Sequence, residues 1–334
     1  MLTNSSYSRL FNQCELVKGY RASSVIDFQR NQLIEISNLF AGILSYNFFH
    51  SWKKTLEKYH EVPKSDIEAG IEELQKRELI FFTTTPSLFP ISQNLWRRPN
   101  TITNAIIEVK RESRFIVSNL VKELLDLGCI ALQIRLLPGC SMSVLANVLA
   151  EIKGSSLKVL EVIIQYTNTD ELNQLQHYIA QEGRLNVLLY EVPTESLSEL
   201  SSPAGSMSFF TGTLTKRQED LQTICTNSFE FFTEAQSYNA SLNRKVCISA
   251  LGEIKNDISH ARSFGHVSDV SISETIRSSK FQELWHISND SIEICKDCQF
   301  RYSCQWNVDI IHREGKYYKS KICKFDPHTN SWQS

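Results

Sequence analysis

The stretch Cys295-Lys-Asp-Cys298-Gln-Phe-Arg-Tyr-Ser-Cys304, with Cys323 beyond it, constrains this chain more than any other. Its pattern is C-x2-C-x5-C followed by a late cysteine. Thiolates are soft ligands, and two of them two residues apart grip one metal centre from a tight turn. Four can close a tetrahedral zinc site or hold a [4Fe–4S] cluster, and spacing alone does not choose between the two. A disulfide pair or inert buried thiols are the other readings. Lys296, Asp297, Gln299 and Arg301 make a polar loop, which is a poor home for inert thiols. Arg301 reads either as a donor that tunes sulfur or as an ordinary surface arginine.

Composition narrows the setting. Nine cysteines follow an N-terminus, Met1-Leu-Thr-Asn-Ser-Ser, with no basic stretch leading into a long apolar run. They read as cytoplasmic thiols and metal ligands rather than a disulfide framework. A net charge of −2 gives no field that would draw nucleic acid or anionic lipid. No stretch approaches the ~18 uninterrupted apolar residues that a membrane span needs. The length of 334 residues suggests two or three domains.

Residues 1–85 predict a small winged-helix-like unit. Two short strands are expected within 7–35, around Leu16-Val-Lys-Gly19 and Ser24-Val-Ile-Asp-Phe28. Helices follow at 36–49, at about Ser51–Tyr59 and after Pro63, where Ser65 and Glu68 fit a capping box. Ile80-Phe-Phe-Thr83 closes the unit as a strand. The third helix carries Asp66, Glu68, Glu72, Glu73 and Glu78, which argues against DNA. An exposed strand edge could instead capture an extended peptide.

After a proline-containing linker at 84–100, residues 100–215 alternate strand and helix. Strands are expected at Thr103–Lys110, Ile130–Leu137, Leu157–Thr167, Asn186–Val192 and Met207–Thr211. Helices are expected at Phe115–Leu127, Met142–Ile152 and from Thr169 to Gly183. This predicts a parallel α/β partial barrel, its apolar strands covered by helices on both faces. No Gly-x-Gly-x-x-Gly, phosphate loop or C-x3-C-x2-C is present. Cys129 and Cys140 read as packing residues and His177 as a surface residue. Residues 240–330 predict a compact cysteine-rich cap: a hairpin about Gly252, a helix at Ile272–Leu284 and the cysteine loop.

The run Gly252-Glu-Ile-Lys-Asn256, Phe264-Gly265, Leu284-Trp285 and Cys295-Lys-Asp-Cys298-Gln-Phe-Arg-Tyr resembles the SPASM domain of radical-SAM peptide-modifying enzymes. More narrowly, it resembles the SPASM-domain peptide maturase of grasp-with-spasm systems, and Leu16-Val-Lys-Gly19 with Ser24-Val-Ile-Asp27 extends the likeness. The resemblance implies a degenerate radical-SAM core and an auxiliary [4Fe–4S] cluster on Cys295, Cys298, Cys304 and Cys323. It also implies a precursor-peptide leader and an ATP-grasp ligase as partners. The first auxiliary site of that family is lost, with Asp257 and Val308 where cysteines belong, and the roles of Cys247 and Cys225 stay open. The segment Glu108–Phe115 lacks the cysteines of a SAM-cleaving cluster, so S-adenosylmethionine is not an expected cofactor. A redox-active radical-SAM-like enzyme and a zinc-stabilised binding protein are the alternatives.

Overall fold

The computed structural model describes residues 3–91, 95–196, 206–214 and 225–333. At its centre is a seven-stranded sheet. The strands are β6 (Asn104–Val109), β7 (Ala131–Leu136), β8 (Val159–Gln165), β9 (Leu185–Tyr190), β10 (Met207–Phe209), β11 (Lys245–Ile248) and β12 (Ile254–Lys255). Their order is β10-β9-β8-β7-β6-β11-β12. From β6 to β10 each strand lies parallel beside its predecessor, stepping one way as in a barrel wall. Strand β11 returns to lie parallel on the free side of β6, pairing Lys245 with Asn104 and Ile248 with Ile107. The hairpin about Gly252, expected with the cap, is therefore two strands of this sheet. That pairing spans some 140 residues of chain, and no local pattern could announce it.

The strands carry two different faces. Ile107, Ile134, Val162 and Val187 point one way and are essentially fully buried. They pack against α4 (Val117–Asp126), α5 (Ser143–Ile152), α6 (Thr169–Gln181) and the helix Ile272–Arg277 in one continuous core. Burying each such side chain stabilises by ~1.5–3 kcal/mol. The alternate positions point the other way and include Glu108, Gln133, Arg135, Glu161 and Lys245. Helices on both faces were expected; among the described residues α4, α5, α6 and the helix Ile272–Arg277 pack the first face, while the second carries a small apolar cluster of Ile163, Leu188 and Tyr190 beside its polar residues. The Lys316 and Arg313 ends of the hairpin β13 (Ile310–Arg313) and β14 (Lys316–Lys319) are joined by Glu314 and Gly315, both at positive φ (51° and 74°). That is the two-residue turn whose twist matches paired strands.

The N-terminal residues form a three-stranded antiparallel sheet of β2 (Cys14–Lys18), β3 (Ala22–Asp27) and β4 (Gln32–Ser37). Strand β1 (Tyr7–Leu10) pairs with the distant β5 (Ile80–Thr83). Helices α1 (Asn38–Phe49), α2 (Trp52–Lys58) and α3 (Lys64–Lys76) close over them around Ile43, Ile67 and Ile71. Four strands thus replace the two expected before α1, because β1 finds its partner only after the helices. Ser65 does not cap α3. The Pro63 carbonyl accepts from Asp66 and Ile67 N–H, so the helix begins two residues earlier and Ser65 lies within it.

Candidate metal centre and adjoining groove

The cysteine loop begins under local strain. Ile294 has φ 71° and ψ −48°, a region that a β-branched residue rarely adopts. It turns the chain into the short 3-10 turn Cys295–Asp297, which Cys298 N–H closes on the Cys295 carbonyl at 3.0 Å. Two residues after Cys298, Phe300 N–H donates to its Sγ at 3.4 Å; Phe325 N–H does the same to Cys323 Sγ at 3.4 Å. The chain therefore holds two copies of one device, Cys298-Gln-Phe300 and Cys323-Lys-Phe325. The two phenyl rings pack against each other at 4.8 Å between centroids, pinning the knuckles side by side. The repeated Cys-x-Phe is written in the sequence at 298–300 and 323–325.

Burial pushes the Cys295 thiol up to about 11, with Cys304 and Cys323 adding to the rise and Lys319 opposing it. Burial also raises Cys298, against the Phe300 N–H, with Cys304, Cys295 and Cys323 adding to it. Cys323 rises through burial and the charge of Cys304. Cys295, Cys298, Cys304 and Cys323 are thus close enough that ionising one opposes ionising the next, and a bound cation would relieve that opposition. Among the described residues no three His, Cys, Asp or Glu side chains converge on a point that one metal ion could fill. Cys225 adjoins the group: it forms an isolated antiparallel bridge with Cys304, and burial, Cys304 and Cys323 push its thiol up to about 12. Cys247 stands apart on β11, fully buried, its Sγ donating to the Asn256 carbonyl at 3.6 Å. Cys129 Sγ donates to the Ala131 carbonyl at 3.3 Å, as a packing residue does.

The loop is clamped to the N-terminal sheet. Ser24 Oγ donates to the Gln299 carbonyl at 2.8 Å, and Tyr20 N–H to the Asp297 carbonyl at 2.7 Å. Arg301 donates to Asp290 at 2.7 Å, to the Lys18 carbonyl at 2.6 Å and to the Cys298 carbonyl at 3.0 Å. The approach at Gly19 is so close that a Cβ there would lie 2.5 Å from the Ala22 carbonyl oxygen and 2.8 Å from Gln299 N.

Between the polar face of the sheet and the cysteine-bearing segment lies a groove of about 820 Å³, with Gln133, Lys245 and Glu161 on one wall and Trp306 and Asp309 on the other. Its floor is a charged network. Arg135 pairs with Glu108 at 3.3 Å and donates to Gln133 at 2.6 Å, and Gln133 in turn donates to Glu161. Burial raises the Glu108 carboxyl while Arg135 holds it down in part. Burial alone would raise Asp257 too, but the Lys245 ammonium at 2.6 Å overrides it and keeps that carboxylate well below its ordinary range. The segment after β6, where SAM-cleaving cysteines would stand, is stitched instead by Ser113, which accepts from Lys110 N–H at 3.1 Å and donates to the Ala250 carbonyl at 2.7 Å.

No family model matches this sequence, and no curated protein matches it. Among solved structures the chain is similar to SuiB of Streptococcus suis. Bound to S-adenosylmethionine, SuiB aligns at 9% identity and TM-score 0.34, over 95% of this chain and 100% of that one. Bound to its precursor peptide SuiA, it aligns at 9% identity and TM-score 0.34, over 97% and 100%. SuiB alone aligns at 10% identity and TM-score 0.31, over 89% and 94%. A likeness at that level assigns neither fold nor function.

Proposed function

We propose that this chain is a peptide-maturation protein. It binds a ribosomally made precursor peptide and assists its modification by a partner ATP-grasp ligase. The observation that carries this reading is a groove large enough for an extended peptide and lined by both signs of charge, one wall of which, Gln305–Asp309, directly follows the C-x2-C-x5-C motif in the chain. Residues 1–85, winged-helix-like, would receive the leader. Strand β4 is an edge of the three-stranded sheet, and an edge can take an added strand. The groove would receive the segment to be modified, with Arg135, Lys245 and Glu161 fixing its polar groups.

In this reading Cys295, Cys298, Cys304 and Cys323 hold one [4Fe–4S] cluster. The donor chemistry fits, since all four are thiols and amide N–H groups already point at two of the sulfurs. When bound, the cluster supplies a one-electron carrier or a rigid clamp beneath the peptide site. The test is calorimetric titration of the full chain with synthetic precursor-leader peptides. Saturable binding that is lost when Glu35 and Ile36 of β4 are replaced by proline is expected; no binding to the intact chain would overturn the reading.

A further inference from the structure

Cys225 is the fifth thiol at the cap, and neither the resemblance nor the spacing gives it a task. Its backbone does. Cys225 and Cys304 face each other across an antiparallel bridge, and Thr226 N–H donates to the Ser303 carbonyl at 2.8 Å. A bond between the residues flanking the pair marks it as the non-hydrogen-bonded kind, in which facing Cα atoms stand ~4.5 Å apart and side chains approach closest. A disulfide needs Cα atoms ~4.4–6.8 Å apart, a range into which a facing pair of this kind falls. Both are free thiols here.

We propose that Cys225 and Cys304 form a reversible cross-strand disulfide that competes with metal for the Cys304 sulfur. The oxidant is a low-molecular-weight disulfide. One cysteine thiolate attacks it, forming a mixed disulfide and expelling one small thiol. The second cysteine thiolate then attacks the mixed disulfide and expels the other small thiol. The two cysteines lose two electrons and two protons, and the small disulfide becomes two thiols. With Cys304 so engaged, three of the four proposed ligands remain and the centre cannot close. Reduction restores it. The competition rests on the metal reading above; the disulfide itself does not.

The experiment exposes the full-length protein, reconstituted with iron and sulfide, to graded oxidised glutathione without oxygen. Three quantities are read: free thiols, bound iron, and the Cys225–Cys304 peptide by non-reducing mass spectrometry. After metal removal, titratable thiols should fall from nine to seven, and the cross-linked peptide should appear. In the loaded protein, iron should leave in step with that peptide. Cys225→Ser should load iron as the wild type does and keep it at oxidant levels that strip the wild type. Absence of the cross-linked peptide from metal-free protein overturns the disulfide. A cross-link in protein that never binds iron or zinc would leave the disulfide standing and overturn the metal reading. Iron loss from Cys225→Ser as complete as from Cys304→Ser would make Cys225 a ligand and overturn the competition. So would equal stripping of variant and wild type.

Discussion

The two faces of the central sheet are made of the same strands and do opposite things. Ile107, Ile134 and Val162 face α4–α6 and are sealed from water. Gln133, Arg135 and Glu161, one residue away along the same backbones, face a groove. A period of two lets one strand serve both ends: alternate residues supply the stability that holds the others, unfavourably buried and charged, in place for binding.

The comparison would break most sharply at Lys245. It lies on the groove face, yet its pair with Asp257 is mostly buried. Asp257→Ala leaves that ammonium uncompensated and should cost ~3–5 kcal/mol, read by denaturant unfolding. The Asp257 carboxyl is depressed in the fold, so its contribution is present above its unfolded value, near pH ~4, and is lost as pH falls further. Asp257→Asn should unfold with a shallower acid dependence than the wild type. Ile134→Ala, on the sealed face, should cost ~2–5 kcal/mol and leave leader binding unchanged at temperatures where the protein stays folded.

Smaller effects sharpen the contrast. Gly19→Ala should cost ~1–3 kcal/mol by crowding Gln299 and should weaken metal retention along with it. Glu234 is buried against Asn243, and burial raises its carboxyl to about 7. Between its unfolded value near ~4.3 and 7 the folded state binds more protons, so this group's contribution to stability falls as pH rises through that window. Glu234→Gln should therefore melt higher than the wild type at pH ~8 and no higher at pH ~4. Gln133→Ala, on the groove floor, removes the acceptor of Arg135 and the donor to Glu161; it should cost ~1 kcal/mol in stability and weaken peptide binding about tenfold through a lost hydrogen bond.

What could be read from sequence was what local pattern encodes. The strand–helix alternation of 103–192 appears as a parallel sheet because each element's apolar period is local. Pairings made across long stretches of chain were not legible: β11 with β6, β1 with β5, and Cys225 with Cys304. The polar inner face was present as Glu108, Gln133, Arg135 and Glu161 at alternate positions, but runs rich in Ile and Leu masked it. Arg301 offered either sulfur tuning or the surface; it instead ties the loop to Lys18 and Asp290, a role set by the neighbouring domain and not by its own surroundings in sequence. His177, read as a surface residue, is exposed on α6 and hydrogen-bonded to Gln181 of its own helix.

The most direct test of the proposed centre is iron, sulfide and zinc content, with the visible spectrum, of protein purified without oxygen. The account predicts roughly four irons and four sulfides per chain, as a [4Fe–4S] centre on four thiolates requires. They should be lost in Cys298→Ser and kept in Cys140→Ser. Zinc without sulfide, or iron that survives Cys298→Ser, would contradict it.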